Sequence, residues 1–232
     1  MTVVNLSFAA CGFLGIYHLG AVGAFLRHGD KLMTSLKSCA GSSAGALVAA
    51  VMLTAPEKVK HCEEFTYDFA ENVRQQKFGA ITPGFNVLSK LREGIEEFLP
   101  VDAHILASDR LHVSLTHLTT GKNLIVCQFN SREELIQALL ASSFVPVYSG
   151  LQPVAFRGQK WIDGGFTDSL PILPVGRTIT VSPFAGQHDF STENIKRLNQ
   201  ALFPPSINGM QSLCQEGFDD ATRFLKIEGW MN

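Results

Sequence analysis

The segment Gly41-Ser42-Ser43-Ala44-Gly45 constrains the fold of this chain more than any other. It matches the pattern G-x-S-x-G and stands between a strand-like run and an apolar helix-like run, which is the context that a nucleophile elbow requires. Glycine lets the backbone turn sharply without a Cβ clash, so the turn exposes the central serine. The N-terminal dipole of the following helix favours negative charge there. The pattern predicts that Ser43, and not Ser42, is a nucleophile.

A glycine loop follows the first predicted strand and opens the first predicted helix. Its sequence, Ala10-Cys11-Gly12-Phe13-Leu14-Gly15, is close to the dinucleotide-binding pattern G-x-G-x-x-G. That function requires an acidic residue at the end of the second strand, whereas Asp30 precedes this strand. Backbone N–H groups at a helix N-terminus also suit an oxyanion, which is the better use beside a serine nucleophile. We expect Cys11 to act through its backbone N–H group and not as a thiol nucleophile. We interpret His18 as a core residue.

The charge balance narrows the classes of function. The 232 residues include 19 Lys and Arg against 21 Asp and Glu, a net charge of -2. Phosphate contacts need a basic surplus, so nucleic acid is not an expected partner. The five cysteines are odd in number and never spaced as CxxC, which argues against a disulfide scaffold. Three uncharged runs, at 1–26, 38–56 and 135–156, are interrupted by glycine and polar residues, and we interpret them as core rather than as membrane spans.

Hydrophobic periodicity predicts an α/β domain in which strands and helices alternate. Strands are predicted at 3–8, 36–40, 111–118, 124–129 and 177–181, with a hairpin at 154–162; helices are predicted at 15–28, 44–54, 57–77 and 87–98. Ser131 and Glu134 form a capping-box signature for a further helix, which ends at Ser142-Ser143. The tail from Ser191 is predicted to be helical, with a break at 203–205. We expect one catalytic domain over residues 1–186 and a C-terminal helical extension, 187–232, packed on it.

A serine nucleophile needs a proton acceptor, and the residues alone leave two arrangements open. Asp163, in Trp161-Ile162-Asp163-Gly164-Gly165, follows a predicted strand, and burial raises the pKa of such a carboxyl toward the working pH. His188 follows Asp163 in the chain, so a triad of Ser43, Asp163 and His188 in the order of conventional α/β-hydrolases is formally allowed. An ordinary Asp-Gly turn is the alternative interpretation of Asp163.

The glycine loop, the G-x-S-x-G segment and Asp163-Gly164-Gly165 occur in this order, and together they make the chain resemble the patatin-like phospholipase family. The resemblance extends over nearly the whole chain. It implies a three-layer α/β/α domain with a mixed, mainly parallel sheet, and a Ser43–Asp163 dyad without histidine. It also implies an oxyanion hole built from the backbone N–H groups of Cys11, Gly12 and Phe13. The motif glycines are Gly15, Gly41, Gly45, Gly164 and Gly165.

The same resemblance implies a serine lipid acyl hydrolase that uses no metal and no cofactor. Triacylglycerols, phospholipids and retinyl esters are the expected substrates, with hydrolysis or transacylation as the outcome. An intracellular protein is expected, cytoplasmic with peripheral contact to lipid droplets or membranes, and mitochondrial residence is allowed. Phe13 and Phe144 are candidate residues of an acyl pocket. The alternative is a lipid-surface binding or regulatory protein with an impaired site, against which the intact Ser43 and Asp163 argue. The stretch between Phe184 and Arg197 is expected to be shorter than in relatives.

Overall fold

Seven strands form one sheet in the part of the chain that the computed structural model describes, residues 3–184 and 192–231. The strands are β1 (Val4–Phe8), β2 (Leu36–Gly41), β3 (Leu111–His117), β4 (Asn123–Val126), β5 (Val154–Phe156), β6 (Gln159–Asp163) and β7 (Arg177–Val181). The helices are α1 (Gly15–His28), α2 (Asp30–Ser35), α3 (Ala44–Thr54), α4 (Val59–Arg74), α5 (Val87–Phe98), α6 (Ala103–Ala107), α7 (Arg132–Ser142), α8 (Thr192–Leu202) and α9 (Ile207–Ile227).

The sheet is mixed, in the order β5-β6-β3-β2-β1-β7, with β4 paired to β3. Parallel pairings join β7, β1, β2 and β3, and antiparallel pairings join β3 to β4, β3 to β6 and β5 to β6. The expected α/β class, a three-layer α/β/α domain, is confirmed. Parallel and antiparallel pairings are equal in number among these strands, and the parallel half contains the two strand–helix turns that the motifs occupy.

Strand β3 brings the ends of two other strands together. Its first half pairs with β2 in parallel, Val113 opposite Gly41, and its second half pairs with β6 in antiparallel fashion, Leu115 opposite Asp163. Strand β4 covers the other edge of β3 along the same residues, so β2 and β6 share one edge. Because these two strands run toward each other, the residues after Gly41 and at Asp163 face the same gap. The register of β3 therefore sets the distance between the elbow and the acidic residue.

The last helix is an integral part of the fold, because it crosses α1 at backbone contact. A Cβ at Gly20 would overlap the carbonyl oxygen of Cys214, and one at Gly217 would overlap the carbonyl oxygen of Tyr17. The Tyr17 hydroxyl donates a hydrogen bond of 2.9 Å to Asp220 Oδ2 across the same interface. Glycine is needed on both helices, since any side chain at the crossing would push them apart.

Several predicted elements are confirmed to the residue: α1, α3, α5 and β7. The hairpin turns at Arg157 and Gly158, both with positive φ, and the Ser131 hydroxyl caps α7 by accepting the Glu134 N–H at 3.1 Å. The helix predicted from residue 57 begins at Val59 instead, because Pro56–Lys58 form a 3-10 turn. Helices α2 and α6 were not predicted, since six and five residues are too few to show a helical period. The predicted boundary at 186–187 and His188 lie outside the described residues.

Among the helices described, none is long and apolar enough to span a membrane.

Candidate active site

Ser43 occupies a strained turn between β2 and α3. Its φ of 54° and ψ of -129° lie outside the regions that a non-glycine residue normally adopts. The turn is tight because a Cβ at Gly45 would overlap the carbonyl oxygen of Phe8, so α3 begins in contact with β1. Ser43 and Asp163 line the same cavity where β2 and β6 meet, and Ser43 is close enough to the carboxyl of Asp163 to lower its pKa. This is the geometry of a nucleophile elbow.

Asp163 is held in place from both sides of its backbone. Its N–H donates to the carbonyl oxygen of Phe144 at 2.8 Å, and its own carbonyl oxygen accepts from the Thr116 hydroxyl at 2.8 Å. The carboxylate Oδ1 accepts the N–H of Gly165 at 2.7 Å, with the Ser42 hydroxyl farther away at 3.4 Å. A carboxyl fixed in this way needs no reorganisation before it accepts a proton.

Burial raises the pKa of Asp163 to about 6, from an ordinary value of 3.8. Loss of hydration is the largest cause, because the residue is only 5% exposed. The hydrogen bonds from Ser43, Gly165 and Ser42 oppose this shift without cancelling it. The resulting carboxylate is a stronger base than an exposed aspartate and is still ionised at neutral pH, which is what general base catalysis requires.

The glycine loop lies beside these two residues. Gly12 has a φ of 53°, and a Cβ there would overlap the carbonyl oxygen of Ala201 at the end of α8. The Ala10 N–H is bonded to Ser169 O and the Leu14 N–H to Cys11 O, whereas the N–H groups of Cys11, Gly12 and Phe13 have no hydrogen-bond acceptor among the described residues. Three successive free donors at the start of a helix suit an oxyanion, although this role stays a prediction.

A cavity of about 460 Å³ opens from the predicted site. Ser43, Asp163 and the glycine loop line one part of it, and apolar side chains of α3, α4 and α5 line most of the rest. Phe13 lies on this lining, as predicted, but Phe144 does not. The Phe144 ring is 1% exposed and belongs to the core; what it contributes to the site is the carbonyl oxygen that anchors Asp163. The prediction that Phe144 lines the cavity is therefore wrong.

The structure thus brings together the residues of all three motifs. Gly15, Gly41, Gly45, Gly164 and Gly165 all sit where backbones or side chains approach closely, and a Cβ at Gly164 would overlap the carbonyl oxygen of Ser114 on β3. In a comparison with protein families, the model described as "patatin-like phospholipase" matches residues 6–175, a range that includes all three motifs. The chain belongs to the patatin-like phospholipase family.

Proteins similar to this chain carry names that describe different activities. This chain is 55% identical to human patatin-like phospholipase domain-containing protein 4, over 99% of both chains. The mouse 1-acylglycerol-3-phosphate O-acyltransferase Pnpla3 is 37% identical over 98% of this chain and 60% of its own length. Mouse omega-hydroxyceramide transacylase is 35% identical over 96% of this chain and 40% of its own length. The alignment with the human protein has 251 positions, more than this chain has residues, so that relative carries residues that this chain lacks.

A solved structure shows the same fold at low sequence identity. VipD from Legionella pneumophila superposes with a TM-score of 0.56 over 97% of this chain and 67% of that chain, at 11% identity. The resemblance is one of fold alone.

A buried imidazole lies against the thiol of the glycine loop, beside the predicted site. Cys11 Sγ lies 3.2 Å from His18 Nε2, and both side chains are buried. The same Nε2 lies 2.9 Å from the Ala9 carbonyl oxygen, and because a carbonyl only accepts, Nε2 carries the proton and is no base for the thiol. Burial holds the pKa of Cys11 well above its usual range and lowers the pKa of His18 to about 4. Both groups are neutral at pH 7, which agrees with the interpretation of Cys11 through its backbone.

A third serine, Ser142, links the elbow to β3 by two hydrogen bonds. Its hydroxyl accepts the Ser43 N–H at 2.9 Å and donates to the Ser114 carbonyl oxygen at 2.8 Å. It thereby ties the strained residue to β3, the strand that also positions Asp163. The sequence marks Ser142 only as the end of a helix, because its two partners are 28 and 99 residues away.

We expect Ser142→Ala to lower kcat about tenfold with little change in KM, because it leaves two buried groups unpaired and frees the Ser43 backbone. Ester kinetics and the thermal midpoint would be measured together. Ser7→Ala is the matched control: Ser7 is equally buried on β1, but its hydroxyl has no partner among the described residues. An equal loss of stability in both variants with no separate loss of kcat in Ser142→Ala would contradict the positioning role.

Proposed function

We propose that this chain is a serine lipid acyl hydrolase in which Ser43 is the nucleophile and Asp163 the base. One observation carries the proposal: Ser43, in its strained turn, and the buried carboxyl of Asp163 line the same largely apolar cavity. Such a cavity favours an ester with a long hydrocarbon part over a small polar ester. In this mechanism Asp163 takes the proton from Ser43 directly, so the first proton transfer requires no histidine.

The proposed reaction has two halves. Ser43 Oγ attacks the ester carbonyl carbon and passes its proton to Asp163, while the N–H groups of Cys11, Gly12 and Phe13 bind the oxygen that becomes negative. The protonated Asp163 then donates to the departing alkoxide, and an acyl group remains on Ser43. In the second half Asp163 removes a proton from water or from an acceptor alcohol, whose oxygen attacks the acyl carbon. The bond to Ser43 Oγ then breaks, and Asp163 returns the proton to that oxygen. Water gives a fatty acid, and an alcohol gives a new ester.

The names of similar proteins support a class of acceptor for the acyl group. Two similar proteins are named as an acyltransferase and a transacylase, which supports transfer to an alcohol beside hydrolysis. Triacylglycerols, phospholipids and retinyl esters are the proposed acyl donors. Phe166 and Leu198 line the cavity and are 58% and 60% exposed, so the mouth offers apolar surface to a lipid droplet or membrane. This contact is proposed as the route by which the substrate enters.

Labelling with a fluorophosphonate tests the proposal directly. We expect one adduct on the wild-type protein, located on Ser43 by peptide mass spectrometry, together with turnover of a nitrophenyl ester. His188→Ala is expected to retain both, because the dyad needs no histidine.

Two results would change this conclusion. Loss of labelling in a folded His188→Ala protein would favour the triad. A folded wild-type protein that neither labels nor turns over would favour the other candidate, a lipid-surface binding or regulatory protein.

A further inference from the structure

Four phenylalanine rings follow the cavity away from the site. The ring of Phe13, in the glycine loop, lies 5.2 Å from that of Phe69, which lies 5.9 Å from that of Phe65, and this in turn lies 5.5 Å from Phe98. All four line the cavity. The first ring belongs to the predicted oxyanion loop, so the series of ring contacts begins there, and Phe65 and Phe98 form its far end.

Helix α3 gives a length for one wall of the cavity. Ala44, Leu47, Val48 and Val51 lie on one face of this helix, and all four line the cavity. At 1.5 Å per residue the interval from Ala44 to Val51 corresponds to about 10 Å along the helix axis. The lining therefore extends about 10 Å along α3 from the residue next to Ser43, a length that suits the straight hydrocarbon part of an ester.

At the far end, one ring lies against a helix position that has no side chain. Gly94, in α5, is buried, and a Cβ there would lie 2.6, 2.8 and 3.0 Å from three atoms of the Phe65 ring. Real Cβ atoms do not approach ring carbons so closely, so the ring occupies the space that a side chain at position 94 would need. An alanine at 94 would displace the ring from α5, and both residues border the cavity.

We propose that Phe65 and Gly94 together set the length of the acyl chain that the cavity accepts. The proposal rests on the proposed function, since it takes the cavity as the acyl site of Ser43. Gly94 allows the Phe65 ring to lie back against α5, and the ring in that position bounds the far end of the space. The two residues act in opposite directions: removing the ring lengthens the space, and filling position 94 shortens it.

The test is a series of nitrophenyl esters from butanoate to hexadecanoate with three variants. Phe65→Ala is expected to raise the ratio of kcat/KM for hexadecanoate over octanoate by about tenfold, and Gly94→Ala to lower it by about as much, since a few methylene groups in an apolar pocket are worth at least that. The double variant Phe65→Ala/Gly94→Ala is expected to match Phe65→Ala, because no ring remains to be displaced. Unchanged ratios, or shifts in the same direction for both single variants, would overturn the proposal.

Controls separate chain-length selectivity from general damage. Phe224 is a half-buried ring that packs edge-on against Trp230 outside the cavity, as Phe65 packs against Phe98, so Phe224→Ala should lower stability without changing the ratio. Gly23→Ala is the control for Gly94→Ala, because a Cβ at this helical glycine meets the Phe218 ring at an ordinary 3.8 Å.

A binding measurement keeps the inference independent of the chemistry. In the Ser43→Ala background, octanoic and hexadecanoic acid would compete with a fluorescent fatty acid, and the Phe65 and Gly94 substitutions should shift their relative Kd values as they shift the kinetic ratio. If the Kd values shift but the wild-type protein has no esterase activity, the proposed function fails and the chain-length role stands. If activity is present and the Kd ratio does not shift, the chain-length role fails alone.

Discussion

Ser43→Ala is expected to lower kcat for ester hydrolysis by about 10⁵-fold, leaving only what the oxyanion donors and substrate binding provide. Without the hydroxyl, no acyl-enzyme forms, and the reaction loses the route that divides one difficult step into two. The fold should be unaffected, because alanine fits the same turn and the Ser43 backbone bond to Ser142 stays in place. Burst kinetics and intact-protein mass spectrometry would both report the loss of the acyl intermediate.

The neighbouring serine offers a sharp comparison. Ser42 is fully buried and reaches Asp163 Oδ1 only at 3.4 Å, so Ser42→Ala should reduce turnover a few-fold and still label. The opposite pattern, with Ser43→Ala active and Ser42→Ala silent, would show that the motif has been assigned in the wrong register.

Asp163→Asn is expected to lower kcat by about 10⁴-fold, because an amide keeps the shape of the carboxyl but accepts no proton. The pH profile gives a second readout. In the wild type, kcat/KM should rise with pH through about 6, as the carboxyl loses its proton and becomes a base. The residual activity of Asp163→Asn should lack this step. A wild-type profile that is flat between pH 5 and 8 would contradict the assignment of the base.

The same substitution should stabilise the protein at neutral pH. In the folded state Asp163 keeps its proton up to about pH 6, whereas in the unfolded chain it loses it near 3.8. The free energy of unfolding therefore falls as pH rises through this window, by about 3 kcal/mol in total, and stays lowered above it. The amide in the Asp163→Asn variant has no charge to bury. The thermal midpoint of the variant minus that of the wild type should therefore be larger at pH 7.5 than at pH 4, by roughly 5–10 °C. Asp102→Asn, at an exposed position, should show no such divergence.

The parts of the site that the sequence predicted are those with a local backbone requirement. The elbow, the glycine loop and Asp163-Gly164-Gly165 each combine a polar residue with glycines that a tight turn needs, and such signals lie within a few residues. The mixed sheet could be expected only in kind: that β2 and β6 meet on one edge of β3 depends on pairings between segments that are far apart in the chain. Ser142, the Cys11–His18 contact and the Phe65–Gly94 contact were missed because no local pattern marks them. Phe144 was assigned to the cavity because the identity of an aromatic residue does not tell which of its atoms faces the site.

The crossing of α1 and α9 also affects how the protein is made. The two helices that cross there are far apart in the chain, so α1 leaves the ribosome long before α9, which covers it. At about 5–20 residues per second, synthesis of the roughly 190 residues between Gly20 and α9 takes about 10–40 s. During that interval the uncharged first part of α1 is outside the ribosome and is not yet covered by α9. A nascent chain of this kind is the form most exposed to aggregation, and chaperones should bind it more strongly than the finished protein.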